Sequence, residues 1–189
     1  MHSLVDHFRG KSRVGRLLLR EYRPEDCQVV LAYHRDPRFL RFYTAEVGTE
    51  AWVRQLIDRF VEWQHEEPRS RVQLAVLLPT GQLIGSCGIR RPTPDADEAE
   101  IGYELAPDHW GRGYATELAR ELLRFGFDAW RLRRISARCT AEKAGSARVL
   151  EKIGMKFEAR LADPEQLDHG GADELLYGIL EREWRENGN

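Results

Sequence analysis

"HWGRGYATELARELLRFGF", residues His109–Phe127, carries two signals in one run. Two glycines flank an arginine, Gly111-Arg112-Gly113, and an amphipathic helix follows at once. Ala115, Leu118, Ala119, Leu122, Gly126 and Ala129/Trp130 form an apolar stripe, with Glu117, Arg120, Glu121, Arg124 and Asp128 off it. That spacing predicts a helix over Tyr114–Trp130. Glycine removes the Cβ where backbone N–H groups close on a ligand. The first-turn N–H groups of a helix have no partner within it. Its dipole adds about half a positive charge there, and Arg112 adds a full one. The run fits a pyrophosphate site and a plain loop-to-helix turn equally well.

Other phosphate motifs are excluded. There is no G-x-x-x-x-G-K-[ST] sequence. A G-x-G-x-x-G fingerprint starting at Gly111 fails because Thr116 stands at its third glycine.

Upstream, "AEIGYELA" alternates, with Ile101, Tyr103 and Leu105 on one face and Glu100, Gly102 and Glu104 on the other. Downstream, "RISARCT" reads as a strand and "GSARVLEKIG" as a short helix stopped by Gly154. "MKFEARL" and "ELLYGIL" read as closing strands around a polar loop, Ala162–Asp173. Towards the N-terminus, "RVQLAVLLPTGQLIGSCGIRR" reads as a hairpin turning at Pro79–Gly81. Thr49 is placed to cap a helix carrying Trp52, Val53, Leu56, Ile57, Phe60 and Trp63. Asp36–Gly48 is aromatic, basic and turn-like, a short helix follows Pro24, and "RLLLREY" reads as the first strand. The order β-α-α-β-β-β-α-β-α-β-β argues for a mixed α/β sheet rather than a doubly wound one.

The 189 residues, 42% hydrophobic and 32% charged, suit one globular domain. We expect a loose leader at 1–12, a single domain at 13–186 and a tail at 187–189. A net charge of -2 gives no global basic field for nucleic acid. Cys27, Cys87 and Cys139 show neither disulfide nor zinc spacing, so no metal and reduced thiols in a cytoplasmic protein are expected. The start lacks a secretory apolar region, and no apolar run reaches membrane-span length.

Taken together, "AEIGYELAPDHWGRGYATELARELLRFGF" and "RISARCTAEKAGSARVLEKIGMKFEARL" resemble the GCN5-related N-acetyltransferase (GNAT) superfamily. The likeness is to its RimJ/RimL-like branch of ribosomal-protein N-terminal acetyltransferases. That family's loop reads Q/R-x-x-G-x-G/A, and here Trp110, Gly111, Arg112, Gly113, Tyr114 and Ala115 occupy it. Trp110 stands in the Gln/Arg place. The family's later helix reads N-x-x-S-x-x-V-L-E-K-x-G-F; Lys143, Ser146, Val149, Leu150, Glu151, Lys152, Gly154 and Met155 match its places. The resemblance runs from Leu17 to Trp184.

It implies a GNAT fold: a mixed, mostly antiparallel sheet of about seven strands flanked by about four helices. The sheet splays between its fourth strand, Ala99–Ala106, and its fifth, Ile135–Thr140, and acetyl-CoA lies in the V. Backbone groups of Glu104, Leu105 and Ala106 would meet the acetyl and pantetheine groups, and the N–H groups of Gly111 to Thr116 the pyrophosphate. Trp110, Lys143 and Ser146 complete the implied cofactor set.

The implied reaction is direct attack of an amine on the thioester. Glu100 is the first candidate base, where several members carry a glutamate and where an interior strand raises a carboxyl pKa. Its bland alternative is a strand-face acid paired with an arginine. For Glu104 the backbone is expected to matter more than the carboxylate. An N–H at Glu104 or Leu105 would hold the oxyanion. Many relatives place a tyrosine acid where this chain has Leu150, which leaves Ser146 to face the coenzyme sulfur. Lys143 replaces the usual Asn and would pair with coenzyme phosphate or face water. "RLRR" at Arg131–Arg134 and His109 read as loop residues, and Cys139 as a core residue.

The acceptor pocket is expected from Phe39–Trp52 and the Ala162–Gly171 loop, which carries Asp163, Glu165, Asp168 and His169. An α-amine is easier to deprotonate than a lysine by roughly 3 kcal/mol. Enzymes of this family act on both, and the resemblance to the RimJ/RimL-like branch implies a protein N-terminal α-amine first. A small amine (polyamine, amino acid or aminoglycoside) and a non-catalytic CoA-binding module stand as alternatives. Monomer and homodimer both fit.

Overall fold

Gly15, at φ 53°, turns the chain back on itself, so that β1 (Ser12–Val14) pairs antiparallel with β2 (Leu17–Glu21). The computed structural model describes residues 12–162, 173–186 and 188. The sequence-based expectations for most of the leader and for the acidic loop at 163–172 lie outside the described residues. Among the described residues the sheet has eight strands, in keeping with the expected mixed sheet of about seven. β1 is the extra one; three residues are too short to show a period of two.

A 3-10 turn at Pro24–Asp26 leads into α1 (Cys27–His34). The mixed stretch that follows folds into α2 (Pro37–Leu40) and a 3-10 turn at Ala45–Gly48. Thr49 caps α3 (Glu50–Trp63), its hydroxyl accepting the Trp52 N–H at 3.3 Å. β3 (Arg71–Leu77) and β4 (Leu83–Arg90) form the expected hairpin. β5 (Glu98–Leu105) continues the antiparallel order and feeds α4 (Tyr114–Asp128). Then come β6 (Arg134–Thr140), α5 (Ala144–Lys152), β7 (Lys156–Leu161), β8 (Glu174–Leu180) and α6 (Glu181–Glu186). Gly154, at φ 90°, ends α5 as its left-handed cap. α4 stops two residues short of the expected Trp130; Arg131 turns left-handed at φ 55° and starts the connection to β6.

The strand order is β1-β2-β3-β4-β5-β6-β8-β7, with every pair antiparallel except β5–β6. Each face buries its own core. On one, the α4 stripe of Leu118, Leu122 and Leu123 packs with Leu74, Ile89 and Ile101. On the other, Val30 and Leu31 of α1 and Val53, Ile57 and Phe60 of α3 pack with Ala75 and Leu77. Each fully buried leucine or isoleucine contributes about 1.5–3 kcal/mol relative to exposure.

The parallel pair places the site. β5 and β6 are in register only from Glu98↔Arg134 to Ile101↔Ala137. Beyond Ile101 the two strands part, and β6 continues against β8 from Arg138↔Leu176 to Thr140↔Glu174. The splay expected between Ala99–Ala106 and Ile135–Thr140 is present, between what are now the fifth and sixth strands.

Candidate active site

The splay leaves one edge of β5 without a strand, and the register says which groups line it. Ala106 N–H donates to Ile84 O at 2.8 Å, which makes Ala106 and Ile84 a hydrogen-bonded pair. Antiparallel ladders alternate, so Glu104 and Gly102 also face β4. Tyr103 and Leu105 lie opposite Cys87 and Gly85 in the non-bonded pairs and turn their N–H groups towards the gap. This corrects two expectations. Ala106 has no N–H to offer a ligand, and of Glu104 and Leu105 only Leu105 aims its N–H into the V. The Leu105 carbonyl accepts the Trp110 indole N–H at 2.7 Å. Trp110, in the family's Gln/Arg place, thus ties the strand end to the glycine loop.

The loop is shaped to hold an anion. Gly111 and Gly113 take φ values of 74° and 82°, a conformation L side chains resist. Thr116 and Glu117 N–H groups both donate to Gly113 O, at 3.1 and 3.2 Å. The N–H groups of residues 111–115 make no hydrogen bond among the described residues. Five successive free donors at a helix N-terminus form a concave anion nest. Thr116 was expected among the donors, but its N–H closes the first turn instead. The Arg112 side chain is exposed and does not line the cleft; its carbonyl accepts Arg16 Nη2 at 2.7 Å. Arg16 also pairs with Glu117 at 2.5 Å and lies 4.7 Å from the Tyr114 ring centre, bracing the loop.

Nest and open strand edge line one cleft of about 960 Å³. Glu100, Glu104, Leu105, Trp110, Gly111, Gly113, Tyr114, Ala115, Thr116, Lys143 and Ser146 all border it; Ala106 and Arg112 do not.

The carboxylates differ in setting. The burial expected for Glu100 is absent, since its side chain is 37% exposed. It lies 3.7 Å from Arg90 and 3.4 Å from Arg138. Glu104 sits deeper. Its Oε1 accepts the Tyr33 hydroxyl at 2.7 Å and lies 3.2 Å from His34 Nε2. His34 Nδ1 reaches Val47 O at 3.1 Å. Both ring nitrogens therefore face acceptors, which suits an imidazolium. Burial pushes the His34 pKa down, but the Glu104 carboxylate more than offsets this and leaves it raised. Burial pushes Glu104 up, and His34, Tyr33 and Lys143 together hold it below the usual carboxylate range. The sequence reading weighed the Glu104 backbone above its side chain, yet the carboxylate has the most elaborate setting in the cleft.

Across the V, Ser146 in the first turn of α5 meets Tyr103 of β5, with Oγ and the phenol oxygen 3.1 Å apart. Burial holds the Tyr103 hydroxyl protonated, its pKa raised. Cys139 is buried, and burial pushes its thiol up. Lys143 precedes α5 and lays its Nζ over the Tyr43 ring, 3.7 Å from the centre. Burial brings its pKa down to about 8. Arg133 and Arg134 of the basic run are paired with Asp97, Glu98 and Glu158. His109 is buried in the loop.

Sequence reasoning missed Tyr33, His34 and Tyr103. Tyr33 and Tyr103 show only as apolar positions of their elements. Tyr33 and His34 meet Glu104 across 71 and 70 residues, a separation no local pattern reports.

A family model for the acetyltransferase (GNAT) domain matches residues 16–156. The chain belongs to the GNAT acetyltransferase family. It is 29% identical over 170 residues to the uncharacterized N-acetyltransferase p20 of Bacillus licheniformis, covering 89% of this chain and 95% of that protein. It is 28% identical over 145 residues to the ribosomal-protein-serine acetyltransferase of Escherichia coli, covering 69% of this chain and 80% of that one. The structure of Mycobacterium smegmatis RimJ in complex with CoA-disulfide shares the fold, with a TM-score of 0.75 at 24% identity over 92% of this chain and 87% of that chain. This GNAT chain is an N-acetyltransferase, and the donor its family uses is acetyl-CoA. No helix among the described residues is long and apolar enough to cross a membrane.

Proposed function

We propose that this protein transfers acetyl from acetyl-CoA to a protein N-terminal α-amine, in the manner of the RimJ/RimL branch, in the cytoplasm. The observation that carries the reading is one cleft bordered both by Gly111, Gly113, Tyr114 and Ala115, whose N–H groups have no partner among the described residues, and by an unpaired strand edge. The likeness to the ribosomal-protein-serine acetyltransferase supports this acceptor class. The three cysteines, buried and without a disulfide, agree with a reducing compartment.

Each group then has a task set by its environment. The N–H groups of residues 111–115 take the pyrophosphate. The pantetheine arm runs along the open edge of β5 towards Leu105. The Leu105 N–H, aimed into the gap, stabilises the oxyanion that forms on direct attack. Glu100 is the base. It is 37% exposed, so it can take a proton from the amine and pass it to water. Glu104 borders the cleft, less exposed than Glu100, and is held ionised, which suits it to anchor the acceptor's positive charge rather than to cycle a proton. The Ser146–Tyr103 hydroxyl pair faces the leaving sulfur and supplies the hydrogen bond that relatives take from a tyrosine at the Leu150 place.

A thiol-release assay tests this. Purified protein is mixed with acetyl-CoA and a panel of N-terminal peptides, polyamines, amino acids and aminoglycosides. Release is expected with peptides and should require a free N-terminus. Release only with a small amine would replace the acceptor class. Binding of acetyl-CoA with no release on any amine would leave a non-catalytic CoA-binding module.

A further inference from the structure

Lys143 borders the cleft, and the proposed mechanism leaves its setting unused. Its stem rises from the turn after β6, three residues before Ser146. Its Nζ lies 3.7 Å from the Tyr43 ring centre and 5.5 Å from that of Phe42, on the α2 side of the cleft. The carboxylates of Glu104 on β5 and Glu174 on β8 act on its charge, as does the Cys139 thiol of β6. The side chain thus spans from the β6 side of the V to the aromatic platform beyond it. It borders the same cleft as Leu105 and Ser146 and lies in the field of Glu104, the residue next to Leu105 on β5.

We propose that Lys143 is itself an acetyl acceptor, and that the protein modifies this residue from acetyl-CoA when no better amine is present. The inference rests on the acetyl-CoA reading above. The Nζ lone pair attacks the thioester carbonyl carbon, a C–N bond forms and the C–S bond breaks. The proton shed by Nζ passes to water, and the CoA thiolate takes a proton from water through the Ser146–Tyr103 pair. The products are Nε-acetyl-Lys143 and free CoA, with no further reactant. The free base needed for attack is present near neutral pH. With a pKa of about 8, roughly a tenth of the side chain is neutral at pH 7, against about one part in 3,000 for an ordinary lysine. Acetylation removes the cation opposite Glu104 and fills the acceptor side with a neutral amide. Self-acetylated protein is therefore slower with external amines.

The chain has only four lysines, Lys11, Lys143, Lys152 and Lys156, so the modification is easy to assign. The native protein is incubated with acetyl-CoA and no added amine, digested with trypsin and read by mass spectrometry. Acetylation blocks cleavage after Lys143, so the peptide Cys139–Arg148 appears uncut and carries one acetyl group. Calorimetry on the same samples reports whether acetyl-CoA binds. The expected result is modification of Lys143 about 10-fold or more faster than of Lys152 or Lys156, because only its amine is held on the acceptor side of the cleft. The rate should not depend on protein concentration and should be lost on heat unfolding and in Lys143→Arg. Bound acetyl-CoA with Lys143 no faster than the other two would overturn the inference and leave the enzyme reading intact. Absence of acetyl-CoA binding would overturn both.

Discussion

Replacing Glu104 by Gln tests the buried cluster beneath the cleft. Gln keeps an oxygen for the Tyr33 hydroxyl, now 2.7 Å from Glu104 Oε1. His34 meets that same Oε1 and can keep donating its Nε2–H to the Gln oxygen, while Nδ1–H stays on Val47 O. No buried donor or acceptor is orphaned; only the charge assistance goes. Hydrogen bonds to charged groups contribute about 1.5–3 kcal/mol, against about 0.5–1.5 for neutral ones. Over two bonds the loss is about 1–3 kcal/mol, or a fall in Tm of about 2–12 °C for a chain of this size. Glu104→Ala would strand Tyr33 and His34 and cost about 3–5 kcal/mol. The Gln effect must depend on pH. The folded pKa of Glu104 is lowered from 4.5, so its contribution is present above that value and fades as pH falls through the folded pKa. The folded pKa of His34 is raised from 6.5, so its contribution is full below that value and fades as pH rises through the folded pKa. The stability difference between wild type and Glu104→Gln, measured by urea unfolding from about pH 4 to about pH 9, should therefore peak between the two reference values. A difference that stays flat across that range would refute the ion pair.

Glu100→Gln should lower kcat by about 100- to 10,000-fold while calorimetric binding of acetyl-CoA stays within about twofold; unchanged turnover would remove Glu100 as base. Ser146→Ala takes away the partner of the Tyr103 hydroxyl and should slow turnover about tenfold or more, with little change in acetyl-CoA affinity. An equal loss in both would mark Ser146 as a binding residue instead. Gly85→Ala would drive a Cβ into the Glu104 carbonyl across the β4–β5 ladder. It should destabilise the fold by about 1–3 kcal/mol, and a variant with wild-type Tm would mean the register is wrong.

Local chemistry made much of this molecule legible in its sequence. The alternation in "AEIGYELA" gave β5 and its two faces, and the glycines before Tyr114 marked the nest, because each signal lies within a few residues of its cause. Three things were not legible. β1 exists because a left-handed Gly15 folds three residues onto β2, and three residues carry no periodicity. Which β5 amides face the gap depends on the pairing register with β4, and alternation alone leaves that open. The Tyr33–His34–Glu104 cluster joins α1 to β5 through tertiary packing, and His34, on the helix face that buries Cys27, Val30 and Leu31, looks like any core residue.

The central claim is that one cleft holds the pyrophosphate of acetyl-CoA at residues 111–115 and its thioester end at Leu105. An amide ¹H–¹⁵N spectrum of the isotope-labelled protein, recorded with and without saturating CoA, tests it most directly. The account predicts large shifts at Gly111, Arg112, Gly113, Tyr114, Ala115 and Leu105, with Ala106 N–H, already bonded to Ile84, moving little. Saturating CoA that leaves the amides of 111–115 unmoved would contradict it.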